Sequence, residues 1–357
     1  MWKLHISLTL RKVTDRELFL LEQLNVKHVD LSLDVFPHHQ RDLPNFFQKF
    51  NFEREKENIL KIIRALKERK MQVNSSNGPP VRDALFGKVD GERQVNDFCK
   101  FVKFLGENDI PIASIGLGVR GFGPADVPGR YVKEQKRGYR MGAFSLKLMK
   151  EQLEKAGIIS PWSHHFRERL SFEELFSNCI KVLKEIVPVA EEYNVKLAWH
   201  PDDPPVEDSR LLPGFTSVEK INMLLEKVNS PNFGLLFCVG TRYESGEDIY
   251  KQIEYFGKKK RIFHVHFRNV RGNLLKNEGY EEVALDDGDM NMIEVLKSLK
   301  KTGYEGAINP DHVPIFSNEN NVKQHGTAWA LDDPKALLGF MYSVGYMRGL
   351  LSALSKI

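Results

Sequence analysis

Four side chains able to bind a divalent metal recur along the second half of the chain. They are His200, Cys238, His266 and Asp311, at intervals of 38, 28 and 45 residues. Two imidazoles, a thiolate and a carboxylate form a mixed nitrogen, sulfur and oxygen donor set suited to a divalent transition metal. Each has an ordinary reading when taken alone. A strand-end histidine more often makes a structural hydrogen bond, and a lone cysteine is more often a small buried hydrophobe. Their joint placement at the ends of four successive strands is what points to a site. His264, two residues before His266, shares its face and competes with it. His164 and His165 offer a further imidazole pair in a charged stretch. His312 follows Asp311 directly, which would stand it beside a metal-bound substrate as a general acid or base. Arg268, two residues past His266, suits bidentate capture of a substrate carboxylate, or else an ordinary salt bridge. In His200-Pro-Asp-Asp-Pro-Pro the prolines stiffen a loop that must present carboxylates at a fixed angle, Asp202 being the expected substrate contact.

Such a set converges only if a particular scaffold holds it. Short β-rich runs fall at Leu4–Leu8, His28–Leu33, Met71–Ser75, Pro111–Ile115, Val195–His200, Phe233–Cys238, Arg261–His266 and Gly306–Asn309. Several are continuous apolar runs, as strands covered on both faces require. Helical patterns lie between them. Thr14-Asp-Arg-Glu17 and Ser171-Phe-Glu-Glu174 read as capping boxes. The second opens a helix to about Tyr193, which Pro188 is expected to kink or divide. Glu53–Arg69, Glu92–Leu105, Thr216–Val228, Gly246–Phe256, Met290–Lys301 and Asp333–Leu354 complete the series. Eight alternations predict an α/β fold, a closed (β/α)8 TIM barrel, with the ligands at the carboxyl ends of its strands. Residues 116–170 break the rhythm after strand four. They are expected to form an insertion or lid over that same face of the barrel. Their Arg120-Gly-Phe-Gly lacks the rest of a dinucleotide fingerprint.

The 357 residues then form one decorated barrel, 1–357, in preference to two domains. Composition narrows the function. With 52 basic and 48 acidic residues the net charge is only +4, which gives no ground for a nucleic-acid or membrane-surface partner. The apolar last helix is interrupted by Lys335 and Arg348, so it is expected to close the barrel, with a subunit contact, instead of spanning a membrane. No secretory signal is evident at Met1–Arg11. Three scattered cysteines exclude a disulfide framework, and a reducing cytoplasm is the expected location.

Six motifs in order carry a resemblance. They are His200-Pro-Asp-Asp-Pro-Pro, Leu212-Pro-Gly-Phe, Phe237-Cys-Val-Gly240, Val265-His-Phe-Arg268, Gly288-Asp-Met-Asn-Met-Ile-Glu-Val295 and Pro310-Asp-His312. Together they resemble the mannonate dehydratase family, metal-dependent barrels of the xylose-isomerase type. Val81-Arg-Asp-Ala-Leu-Phe-Gly-Lys88 and Met347-Arg-Gly-Leu350 match more loosely. The resemblance implies that His200, Cys238, His266 and Asp311 hold the metal, manganese first, with iron, cobalt or zinc fitting the same donors. It implies that His312 is the catalytic acid or base. It further implies a small sugar acid as substrate, D-mannonate losing water to give 2-keto-3-deoxy-D-gluconate in hexuronate catabolism, and a homo-oligomer, a dimer or larger. Three departures stand out. The first strand lacks the family's Arg-Trp-Tyr-Gly element, Arg82 stands where the family has a histidine, and Lys335 stands where it has a catalytic tyrosine. Lys335 is therefore carried as a substrate-binding position, with Tyr342, Tyr346 and His325 as possible replacements for the tyrosine. The departures keep a second reading in play, a metal-dependent sugar isomerase or epimerase on the same barrel.

Overall fold

The computed structural model describes residues 2–32, 52–119, 128–156, 170–208, 211–316, 328 and 330–355. His164, His165, Arg120 and His325 lie outside them. Twelve strands follow in chain order: β1 (His5–Leu10), β2 (His28–Leu31), β3 (Gln72–Asn77), β4 (Ile112–Ile115), β5 (Arg130–Glu134), β6 (Arg140–Ser145), β7 (Lys196–Trp199), β8 (Phe233–Cys238), β9 (Ile262–His266), β10 (Asn269–Arg271), β11 (Gly279–Val283) and β12 (Ala307–Asn309). Eight of them, β1-β2-β3-β4-β7-β8-β9-β12, close into a parallel barrel in which β12 pairs back onto β1. These are the eight strands read from the sequence, shifted by at most two residues at most ends. Their apolar runs are explained by burial on both faces: every residue of β8 is buried.

Both expected capping boxes form, at Thr14 with Glu17 and at Ser171 with Glu174. The Phe172–Glu192 helix is not divided at Pro188 but runs through it. Its Cys179, Val182, Leu183, Ile186 and Ala190 form a continuous buried face, and that packing outweighs the one backbone bond that proline removes. The expected helix over Gly246–Phe256 forms as Ile249–Lys258, capped by Asp248, and a separate short helix, Val239–Glu244, precedes it. The last helix, Leu337–Ser355, buries Phe340, Val344, Met347 and Leu354 against the barrel. By length and composition alone, Pro334–Ser355 is apolar enough to cross a membrane.

The barrel interior holds a polar layer. Asp30 accepts from Asn74 Nδ2 at 2.8 Å, Ser75 Oγ at 2.6 Å, Asn309 Nδ2 at 2.7 Å and also Ser7 Oγ, while His264 Nε2 lies 3.1 Å away. His264 is thereby committed to the interior.

The residues after β4 form more than a loop. β5 and β6 make a hairpin, and β6 pairs antiparallel with β11, which pairs with β10. The resulting four-stranded sheet, β5-β6-β11-β10, joins the segment after β4 to the segment after β9. Phe144, Met149, Leu153 and Tyr280 of this unit pack on Val206, which follows the His200 loop.

Candidate metal centre

β7, β8 and β9 are neighbours in the barrel, and Cys238 is registered opposite His266. Their last residues therefore project into the same mouth. The ligand atoms of His200, Cys238 and His266 all lie within 4.8 Å of one another. His200 Nδ1 faces the carbonyl of Pro201 at 2.6 Å, which orients the ring and leaves Nε2 free to bind. Asp311, two residues past β12, brings Oδ2 to 3.2 Å from His266 Nδ1. That nitrogen is buried and has no partner in good hydrogen-bond alignment. An orphaned ring nitrogen beside a carboxylate oxygen is what two ligands of one cation look like. Donors about 2.1 Å from a common ion, at tetrahedral to right angles, stand roughly 3.0–3.4 Å apart. His200, Cys238 and His266 thus form a three-donor set that fits a divalent metal, with Asp311 adjoining it.

The electrostatics favour the binding form of the sulfur. Burial raises the Cys238 thiol, but Arg268 and hydrogen bonds from His200 and His266 together hold it well below its ordinary value. Burial likewise works against a charged His312, yet Glu282 and Asp311 lift it to about 9. His312 donates from Nδ1 to Glu282 Oε1 at 2.8 Å and turns Nε2 to within 3.3 Å of Asp311 Oδ2. The imidazole is thus held between a carboxylate on the second sheet and a carboxylate of the centre.

Three expected substrate contacts are placed differently. Arg268 does not project into the mouth. It is buried beneath it, with its guanidinium taken up by Glu244, Asp203, Thr241 and the Cys238 sulfur. Asp202 accepts from the backbone N–H of Phe215 at 2.8 Å and so anchors its own loop. Its neighbour Asp203 is the aspartate that joins the cluster, through Arg268, Thr241, Arg130 and Tyr280. Lys335 is exposed in the short turn Pro334–Ala336 ahead of the last helix. Of the possible tyrosine replacements, Tyr342 accepts from Arg137 at 3.1 Å, and Tyr346 is half-buried on the last helix.

Glu282, Tyr280 and Arg130 were not legible as site residues. All three lie on the second sheet, and Tyr280 and Glu282 share one face of β11 because they are two residues apart. The alternation in Gly-Tyr-Glu-Glu-Val is a faint strand signal that two adjacent glutamates disguise as a loop.

Comparison with known proteins adds family evidence. A family model described as "D-mannonate dehydratase (UxuA)" matches residues 141–357, more than half of the chain. The chain is 39% identical over 150 residues to a mannonate dehydratase of Thermotoga petrophila, a match covering 41% of each chain. It is 35% identical over 188 residues to one of Thermotoga neapolitana, covering 52% of this chain and 49% of that one. The chain thus matches less than half the length of these curated relatives. In fold it is similar to the crystal structure of mannonate dehydratase from Streptococcus suis serotype 2, with TM-score 0.75, 22% identity, and 99% and 94% of the two chains covered.

Proposed function

Because the chain belongs to the D-mannonate dehydratase family, we propose that it is a metal-dependent hydro-lyase. Its substrate in this reading is a sugar acid, D-mannonate, which loses water to give 2-keto-3-deoxy-D-gluconate. The observation that carries the proposal is the convergence of His200, Cys238 and His266 with Asp311 adjoining and His312 alongside.

His200, Cys238, His266 and Asp311 are assigned to hold the metal, manganese first, with iron, cobalt or zinc suited to the same donors. When bound there, a divalent cation supplies a Lewis acid for the substrate's carboxylate and C2 hydroxyl, which acidifies the C2 proton. His312 is assigned the proton transfer. Glu282 fixes its tautomer and ring angle from one side, so that Nε2 is the nitrogen that meets substrate. Removal of the C2 proton and departure of the protonated C3 hydroxyl leave an enol, which tautomerises to the 2-keto product.

The sheet of β5, β6, β10 and β11 is assigned the role of cover. Support comes from Arg130, Tyr280 and Glu282, which it sends to Asp203 and His312. The exposed Leu338 and Met341 on the last helix support a homo-oligomer. A cytoplasmic place in hexuronate catabolism completes the reading.

The test is to reconstitute the protein with manganese, add D-mannonate and related aldonates in deuterium oxide, and measure 2-keto-3-deoxy acid. Product from D-mannonate is expected. Solvent deuterium in recovered sugar with no keto-deoxy acid formed would favour the isomerase or epimerase reading instead.

A further inference from the structure

Arg268 is displaced from the role its position suggests, and its surroundings indicate another. The side chain is only 1% exposed. Each of its three nitrogens faces its own acceptor. Nε donates to Cys238 Sγ at 3.1 Å, Nη1 to Glu244 Oε1 at 2.5 Å, and Nη2 to Asp203 Oδ2 at 2.7 Å and Thr241 Oγ1 at 2.8 Å. A planar fork held at all three nitrogens cannot turn toward one partner without leaving the others. Glu244 and Thr241 come from the short helix that starts at Cys238, and Asp203 from the loop that carries His200. The backbone makes room as well. A Cβ on Gly240 would stand 2.7 Å from Cγ, Cζ and Nη1 of this arginine. An ion pair built for stability has no need of a sulfur at the third nitrogen.

We infer that Arg268 is a positioning residue for the metal ligand Cys238. It fixes the sulfur in place and draws charge from its lone pairs, so that a metal bound there is a stronger Lewis acid than the ligands alone would leave it. The inference rests on the metal-centre reading above. Hydrogen bonds to a ligating sulfur lower its donor strength, which is how surrounding groups tune thiolate-bound metals. The other two nitrogens are anchored so that this bond keeps its direction whether or not substrate is present.

The test uses cobalt(II) alone, added to the metal-free full chain, with the thiolate-to-cobalt charge-transfer band in the near ultraviolet as readout. Its energy reports the sulfur lone pairs directly. Arg268→Lys is expected to move the band to longer wavelength, because one ammonium cannot reach Sγ while serving Glu244 and Asp203. Gly240→Ala leaves every charge in place but drives a methyl group into the guanidinium, and it should move the band the same way. Because it removes no buried charge, it decides the question by itself where Arg268→Lys does not fold. A wild-type band that both folded variants leave in place overturns this inference alone. A wild-type protein with no such band overturns the metal-centre reading and the inference with it.

Discussion

Glu282 offers the most direct test of the catalytic arrangement, because it touches the proposed acid or base without touching a metal ligand. Its Oε1 accepts from His312 Nδ1 at 2.8 Å and lies 3.5 Å from Arg268 Nη1, while Oε2 is buried without a partner. In Glu282→Gln the amide oxygen can take the place of Oε1 and the amide nitrogen the empty place of Oε2, so the bond survives and only its charge is lost. In Glu282→Ala both go, and His312 Nδ1 is left buried with nothing to hold the ring. A hydrogen bond to a charged group is worth about 1.5–3 kcal/mol. At about 1.4 kcal/mol per factor of ten, that is roughly a 10- to 100-fold loss of kcat for the alanine variant. The range agrees with the effect of removing a carboxylate that orients a functional histidine. The glutamine variant should lose less. KM and metal content should hardly change, because neither substrate nor metal is bound by Glu282. Steady-state kinetics on metal-loaded protein, with metal counted per chain, makes the measurement. Wild-type kcat in Glu282→Ala at full metal content would refute the reasoning, and so would a loss explained entirely by missing metal.

Three further outcomes follow from the same geometry. Cys238→Ser exchanges a thiolate for a weak neutral donor, so metal affinity should fall on the order of 10- to 100-fold by competition with a chelating dye. Removing bound metal with a chelator should destabilise the protein, by about 2.7 kcal/mol relative to metal at a hundred times its Kd, which denaturant unfolding with and without metal measures. Asp30 gives an acid-stability test. Burial pushes its carboxyl up, but His264, Asn74 and Ser7 hold it well below the usual carboxylate range. A depressed folded value means stability present above the unfolded value of about 4 and lost as pH falls beneath it. The wild-type denaturant midpoint should therefore drop below about pH 4. Asp30→Asn, which presents an amide N–H₂ to donors that need an acceptor, should start about 1.5–3 kcal/mol less stable and depend less on pH there.

The barrel was legible because its strands are short apolar runs and two of its helices open on capping boxes, signals that depend on neighbours in the chain. The convergence of His200, Cys238 and His266 was legible for a related reason: in a parallel barrel, position at a strand's end in sequence is position at the mouth in space. Arg268 shows where such reasoning stops. Its spacing from His266 placed it correctly near the centre, but whether it faces substrate or lies beneath depends on Glu244 and Asp203, which belong to other segments. Asp202 and Asp203 make the same point, since adjacent residues on a loop point in different directions and only the packed loop selects which one enters. Glu282 was missed because its strand is polar and its partner strand lies on the far side of the barrel sequence. Pro188 does not divide its helix, because the buried face of that helix runs the whole length of its barrel contact.

The second sheet carries a consequence for how the chain is made. Ser145 of β6 pairs with Gly279 of β11, 134 residues later. At about 5–20 residues per second of synthesis, β6 leaves the ribosome roughly 7–27 s before its partner exists. Through that interval the β6 edge of the β5–β6 hairpin is bare as well as the β5 edge, with Met141 and Phe144 unprotected. The polar residues of the hairpin, among them Arg130, Lys133, Glu134 and Arg140, therefore serve the nascent chain as well as the finished protein, keeping an exposed strand from pairing with the wrong neighbour while it waits.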